Sequence, residues 1–469
     1  MTHTPGIAAV WEALGGDPAL LSRISYRTRA GSLPARLPVI ELARACVGAC
    51  SLAGAEFAAT RAGRPVADVQ VDDGALATAF TSERHLLIDG RAPVNFAPLS
   101  RFWRTQDGWL RTHANYPHHR ARLCAALGVG ADASVDEVAG LLAGRSAYEV
   151  EETVYAAGGL AVALRTPEEW AAHPQGAAVA AHPLVIRERL DAAAPRAVRG
   201  GAPRVLDLTR VLAGPVATRT LALLGADVLR VDAPQLPEDP DTHADTGFGK
   251  RSTRLDLTDG TDRRTFEELL TTADVIVTGY RPGALDRFGL APEALAERHP
   301  GLVVASVSAW GAYGPWGGRR GFDSLVQVAT GIAATQGSTE QPGALPAQAL
   351  DHGTGYLLAA GVLRALTDRA RDGGSHILRY SLARTAGWLV NEPGPGGQAS
   401  EDAASVSPEK RASEDAASAS PAPWLAETDS ALGRLRYALP PVSFAGGPAD
   451  WARPPGRWGT DAPVWLPRG

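Results

Sequence analysis

Two kinds of apolar pattern alternate along this chain. Short runs dominated by Val, Leu and Ile, at Val205 to Leu208, Val228 to Val231, Val275 to Val277 and Val303 to Ser306, predict strands. Ala- and Leu-rich stretches of helical period lie between them. Residues 204 to 234 hold the clearest unit: a strand, a tight Ala213-Gly214-Pro215 turn, an Ala/Leu helix, and a second strand ending on Asp232. That order is a βαβ unit of the kind that seats a nucleotide. It lacks the G-x-G-x-x-G fingerprint whose glycines admit a pyrophosphate, so an ordinary dinucleotide is not the first choice. The pattern predicts an α/β protein with a Rossmann-like, mostly parallel sheet formed from residues after 204.

A faint repeat runs through the chain. Ala43 to Phe80 reads as an Ala-rich helix, a turn, a strand at Val69 to Val71 and another Ala-rich helix. Residues 353 to 390 follow the same order, with the strand at Ile377 to Tyr380, and laying Gly63 on Gly373 sets Glu41 opposite Asp351. One reading is a decayed tandem of two copies; the other is chance similarity between Ala-rich helices. Residues 391 to 425 are dominated by Gly, Pro, Ser, Ala and acidic residues, and Ala-Ser-Glu-Asp-Ala-Ala-Ser occurs twice in them. Such a segment buries too little apolar surface to offset its ordering entropy, which predicts a disordered linker.

Composition narrows the class. A chain of 469 residues has room for two or three domains, and a formal charge of −5 leaves no electrostatic footprint for nucleic acid. Three cysteines cannot build a disulfide framework, and Cys46 and Cys50, at i, i+4 spacing in an Ala-rich run, read as small buried hydrophobes. No basic segment followed by an apolar core opens the chain, and no stretch reaches the roughly 20 uninterrupted apolar residues of a membrane span. The expectation is a cytoplasmic protein with no membrane partner and no metal. His113, His118 and His119 near Tyr116 lack the acidic or Cys companions of a metal site and read as surface or interdomain residues.

Several motifs follow the βαβ unit in a fixed order. They are Gly249-Lys250-Arg251-Ser252 with Leu255-Asp256-Leu257, Ala273 to Val277, and Tyr280-Arg281-Pro282-Gly283-Ala284-Leu285-Asp286-Arg287-Phe288-Gly289-Leu290. Then come Ser306 to Gly311, Gly321-Phe322-Asp323 with Gln327, and Asp351-His352-Gly353-Thr354-Gly355 opening a helix expected over 355 to 366. Together they resemble the family III (CaiB/BaiF-like) CoA-transferases, a group that includes α-methylacyl-CoA racemases. The resemblance implies a CoA-binding catalytic domain at 201 to 390 and a second, smaller α/β domain. Family members place that domain in the second half of the chain. Here Phe102 to Arg111, His119 to Leu127 and Ala157 to Gln175 look like it, at 91 to 200, as if moved to the front. Residues 1 to 90 would then be a degenerate repeat, and 426 to 469 a closing segment that packs back on the large domain.

The resemblance also implies chemistry. Asp351 would be a covalent nucleophile that passes CoA from an acyl-CoA donor to a carboxylic acid through a mixed anhydride and an aspartyl-CoA thioester. With an ordinary pKa near 3.9, an Asp is anionic at neutral pH and needs no general base. Read alone, Asp351 also fits a plain helix N-cap. Gly353 and Gly355 would admit close approach, with amides of the first helical turn holding the oxyanion. CoA contacts fall on Leu212, Ala213, Leu255, Asp256, Leu257, Gly279, Tyr280, Arg281, Arg287, Arg320, Gly321, Phe322 and Asp323, with the arginines gripping phosphate. Coenzyme A thioester is a substrate here, not a permanently bound cofactor, and the family's homodimers are interlocked.

Two departures matter. The racemases carry a His where this chain has Phe322, which cannot transfer a proton, so an isomerase would need a different shuttle. Formyl-type transferases carry a Gln where Leu212 stands. Gly396-Gly397-Gln398 echoes a glycine loop of some transferases, though the composition around it is that of a linker. A non-catalytic acyl-CoA binder is the remaining alternative.

Overall fold

The computed structural model describes residues 5–94, 96–196, 201–391 and 420–467. Residues 392–419 of the expected linker, with Gly396 to Gln398, lie outside the described residues; at its ends Asn391 closes a helix and Ala422–Trp424 form a short 3-10 turn before the strand that begins at Leu425. The centre of the molecule is a seven-stranded sheet built from β1 (Ile186–Arg189), β2 (Arg204–Leu208), β3 (Asp227–Asp232), β4 (Arg251–Arg254), β5 (Val275–Thr278), β6 (Val303–Ser308) and β7 (His376–Ser381). Their spatial order is β4-β3-β2-β5-β6-β7-β1, with every pair parallel except β7 and β1. The four strands expected from apolar runs are all present, because side chains such as Val205, Leu206, Val228, Ile276 and Val303 are covered on both faces of the sheet. β1 is a departure. Its residues were grouped with the smaller domain, yet they add an antiparallel edge to the large sheet through pairs such as Ile377 with Glu188.

The chain leaves β2 for β3 on one side, while β5 pairs on the other side of β2. Strand order therefore reverses between β2 and β5, and the crevice outside their carboxyl ends is where an open α/β sheet takes a ligand. Helix α2 (Ala213–Leu223) follows β2 and is buried along its whole length.

Two 24-residue helices form the core beside the sheet: α1 (Val39–Ala62) and α4 (Ala349–Asp372). They run in the same direction, since Leu42 and Cys46 sit by Gly353 near their starts and Glu56 pairs with Arg364 further along. A Cβ at Gly353 would stand 2.7 Å from Leu42 Cδ2, so the contact depends on a missing side chain. α1 is apolar and long enough to cross a membrane, but it lies in the protein core, with Cys46 and Cys50 fully buried. A parallel pair of strands, Ile24–Arg27 with Val69–Asp72, flanks α1, as β6 and β7 flank α4.

A smaller unit packs an antiparallel sheet of Phe102–Arg104, Trp109–Thr112 and Ala161–Ala163 against helices Pro117–Leu127, Val135–Ala143 and Ala147–Ala156. Leu110, Leu123, Val138 and Val150 fill its core. The closing segment returns to the large sheet: Trp451 and Trp465 donate their indole N–H groups to Arg219 O and Leu269 O, and Leu466 N–H donates to Asp227.

Candidate active site

The turn after β2 is pinned from several directions. Val211 has φ of 70°, a left-handed conformation that a β-branched residue holds only under constraint. Its N–H donates to Glu238 Oε2 at 3.0 Å. Glu238 pairs with Arg230 at 3.1 Å and accepts the Tyr116 hydroxyl of the smaller unit at 2.6 Å. Gly214 closes the turn, since a Cβ there would lie 2.4 Å from that of Thr209.

This turn opens on a cavity of about 800 Å³ at the carboxyl ends of β2 and β5. Leu212, Ala213, Leu255, Asp256, Leu257, Gly279, Tyr280, Arg281, Arg287, Arg320, Gly321, Phe322 and Asp351 all line it. Asp323, Gly353 and Gly355 do not. Asp323 points into the core and is 1% exposed, so it is not placed to touch a ligand in the cavity. Helix α4 starts at Ala349, six residues before the expected position. Gly353 and Gly355 therefore lie past its first four N–H groups, where amides pair within the helix and are not free to hold an oxyanion. Both glycines serve packing instead: Gly353 against Leu42, and Gly355 against Ala213 O, which a Cβ would approach to 2.6 Å. The early start also means that Asp351 is inside the first turn of the helix and is not its N-cap.

Asp351 is 7% exposed, and its carboxyl has no hydrogen-bond partner among the described residues. Burial, followed by the charges of Asp323 and Glu83, holds its pKa well above the usual carboxylate range. The expectation of an ordinary Asp pKa is thus corrected by burial and by neighbours that are remote in sequence. Asp256, another carboxylate on the cavity wall, is half-buried and accepts bonds from Thr258 and Gln235.

Cations gather at the other walls. The pKa of Arg320 is pulled down by burial and then by Arg281 and Arg122, so three guanidinium groups face one another, an arrangement that a bound polyanion would relieve. Arg210 is already paired with Glu238 at 3.5 Å, and Arg319 with Glu152 at 2.7 Å. In the first turn of α2, the Ala213 and Gly214 amides precede the helix's own hydrogen-bond ladder and line the same cavity.

The smaller unit contributes Tyr116, His118, His119 and Arg122, which were not assigned to a site from sequence. The 118, 119, 122 spacing at the start of a helix is the signal that could have found them, because it puts the three side chains on one face. His113 and His119 are buried between the two units. Burial is the main cause that pushes both down to about 3, so both rings are neutral, and His113 stacks on Phe322 with centroids 3.7 Å apart. Among the described residues no group of three or more His, Cys, Asp or Glu is placed to hold a metal.

Comparison with known proteins follows the same geography. Residues 203–414 match the family model described as CoA-transferase family III. An acetyl-coenzyme A transferase of Hypoxylon pulicicidum is 35% identical over 198 residues, covering 41% of this chain and 33% of that protein. A formyl-CoA:oxalate CoA-transferase of Streptomyces coelicolor is 36% identical over 182 residues, covering 36% of this chain and 44% of that protein. A CAIB/BAIF family protein from Brucella suis, solved by crystallography, is 29% identical with a TM-score of 0.38, covering 41% of this chain and 55% of that one. The chain thus spans a third to a half of the length of these curated relatives.

Proposed function

We propose that this chain, whose residues 203–414 match the CoA-transferase family III model, transfers CoA from an acyl-CoA to a carboxylic acid with Asp351 as covalent nucleophile. The observation that carries the reading is the Asp351 carboxyl: it has no hydrogen-bond partner among the described residues, and it lines the same cavity as Arg281, Arg320 and Arg122. In the proposed cycle the ionised form of Asp351 is the nucleophile: a carboxylate oxygen attacks the thioester carbonyl, the C–S bond breaks, and CoA leaves as thiolate with a mixed anhydride behind it. The thiolate attacks the aspartyl carbonyl carbon and expels the donor carboxylate, giving an aspartyl-CoA thioester. The acceptor carboxylate attacks that carbon and releases thiolate, which then attacks the acceptor's acyl carbon and frees Asp351. Acyl activation alternates between thioester and anhydride through the four steps and is never lost to water.

The arginines would hold the phosphates, and the Ala213 and Gly214 amides would face negative charge arriving at the start of α2. The aromatic wall of His113, Phe322, Tyr116 and His119 has neutral rings and offers no proton-transfer group at position 322, which favours transfer over racemization. The resemblance implies a homodimer. In this chain α1 already covers α4 from behind, which supports a site completed within one chain, and sedimentation velocity distinguishes the two.

The test is exchange of a labelled free acid into its CoA thioester. Hydroxylamine added during turnover should convert the peptide containing Asp351, and no other, to a hydroxamate. A chain that binds CoA but exchanges no acid across a panel of apolar acids would leave the binder alternative standing.

A further inference from the structure

The residue after Phe322 carries information that the cavity alone does not. Phe322 is extended, with φ −141° and ψ 159°, and its ring lines the cavity against His113. Asp323 opens helix α3 (Asp323–Ala329) and turns the other way, into the core. There its Oδ2 accepts the N–H of Leu350 at 2.9 Å and the N–H of Asp351 at 3.0 Å. Its Oδ1 accepts the Gln327 side-chain amide at 2.5 Å, and Gln327 Oε1 accepts the Leu345 N–H at 2.9 Å. Helix α4 has no cap of its own, because Gln348 at its N-cap position makes no side-chain bond. Two of its four orphan donors, including the amide of Asp351 itself, are thus met by a carboxylate from another helix.

We infer that Asp323 is the positioning residue for Asp351, fixing the first turn of α4 so that the Asp351 carboxyl opens into the cavity beside the ring of Phe322. The inference rests on the reading of Asp351 as nucleophile. Asp323 never touches substrate: it acts through the backbone it holds and through its charge. The charged groups facing the Asp351 carboxyl are Asp323 from α3 and Glu83 from the helix Ser82–His85, and Glu83 in turn lies 3.8 Å from His352. Arg111, from the strand Trp109–Thr112, faces Asp323.

The test is Asp323→Asn in the full chain, with Asp351→Asn in parallel. Asparagine keeps the size but loses the charge, and it can offer only one acceptor oxygen to three donors. In the labelled-acid exchange, kcat per folded protein is expected to fall on the order of 10- to 100-fold, with KM for acyl-CoA within about twofold of the parent. The acid limb of the kcat profile should also move to lower pH, since a negative neighbour of Asp351 has gone. A merely structural role would lower the folded fraction without moving that limb. Unchanged kcat per folded protein with an unmoved limb overturns the inference. If Asp323→Asn does not accumulate folded, Gln327→Met is read the same way: lost kcat at constant KM supports the clamp, and full kcat overturns it. Full exchange by Asp351→Asn would mean that the nucleophile reading itself has failed. An inactive Asp351→Asn beside an unaltered Asp323→Asn overturns the positioning role alone.

Discussion

Replacing Asp351 by Asn should make this protein inactive and, above acid pH, more stable. Both effects follow from one buried carboxyl. Its nucleophilic oxygen is lost in the amide, and removal of a covalent catalytic group costs on the order of 10⁴-fold or more in kcat. The stability effect comes from the upward pKa shift that burial, Asp323 and Glu83 impose. Below about pH 3.9, the unfolded-chain value, the carboxyl is protonated in both states and the Asn substitution should be near neutral. As pH rises past that value the unfolded chain ionises while the folded protein still holds the proton, so the parent loses stability. The loss ends once the folded-state carboxyl has titrated. Its size is about 1.4 kcal/mol for each unit of upward shift, and Asn escapes it. Thermal melts of the two proteins from pH 4 to pH 8 should show a gap that opens with pH in favour of Asn, alongside the exchange assay. Equal exchange by the Asn protein, with no deamidation by mass spectrometry, would refute the nucleophile. A gap of the opposite sign at pH 8 would refute the electrostatic argument.

Other consequences can be checked separately. Arg320→Ala should weaken CoA binding by about tenfold, the scale of a charge-assisted hydrogen bond lost from a phosphate, with little effect on the melting of the free protein; titration calorimetry measures the first. Gly353→Val puts methyl groups where Leu42 Cδ2 already stands within 2.7 Å of the Cβ position, and should cost about 1–3 kcal/mol in denaturant unfolding. Glu41→Gln should leave exchange activity within about twofold, because Arg44 keeps its paired bonds to Asp73 and Glu41 lies outside the cavity.

Much of the architecture was legible in local pattern. Strands β2, β3, β5 and β6 are near-continuous apolar runs because both faces of the sheet are covered, and such a run announces itself within a few residues. The cavity wall was named through the family resemblance and not from periodicity: Leu212 and Gly279 to Arg281 follow strands β2 and β5, whereas Arg320 to Phe322 precede a helix well beyond β6.

What the sequence could not carry is whatever depends on residues that meet only after folding. The start of α4 was placed six residues late because its cap, Asp323, comes from another helix and leaves no trace in the local pattern at 349 to 355. The same carboxylate was assigned to the ligand because a motif gives a position and not the direction in which its side chain points. His113 and His119 read equally as surface or interdomain residues in the sequence, and only the docking of the smaller unit, which sets them against Phe322, decides between the two. The pKa of Asp351 is the sharpest case. Residue type alone makes it an ordinary acid, and only the tertiary structure, by removing water and bringing Asp323 and Glu83 near it, raises its pKa. Periodicity records which face of an element is buried, whereas electrostatics and capping depend on contacts of a few ångströms between segments far apart in the chain.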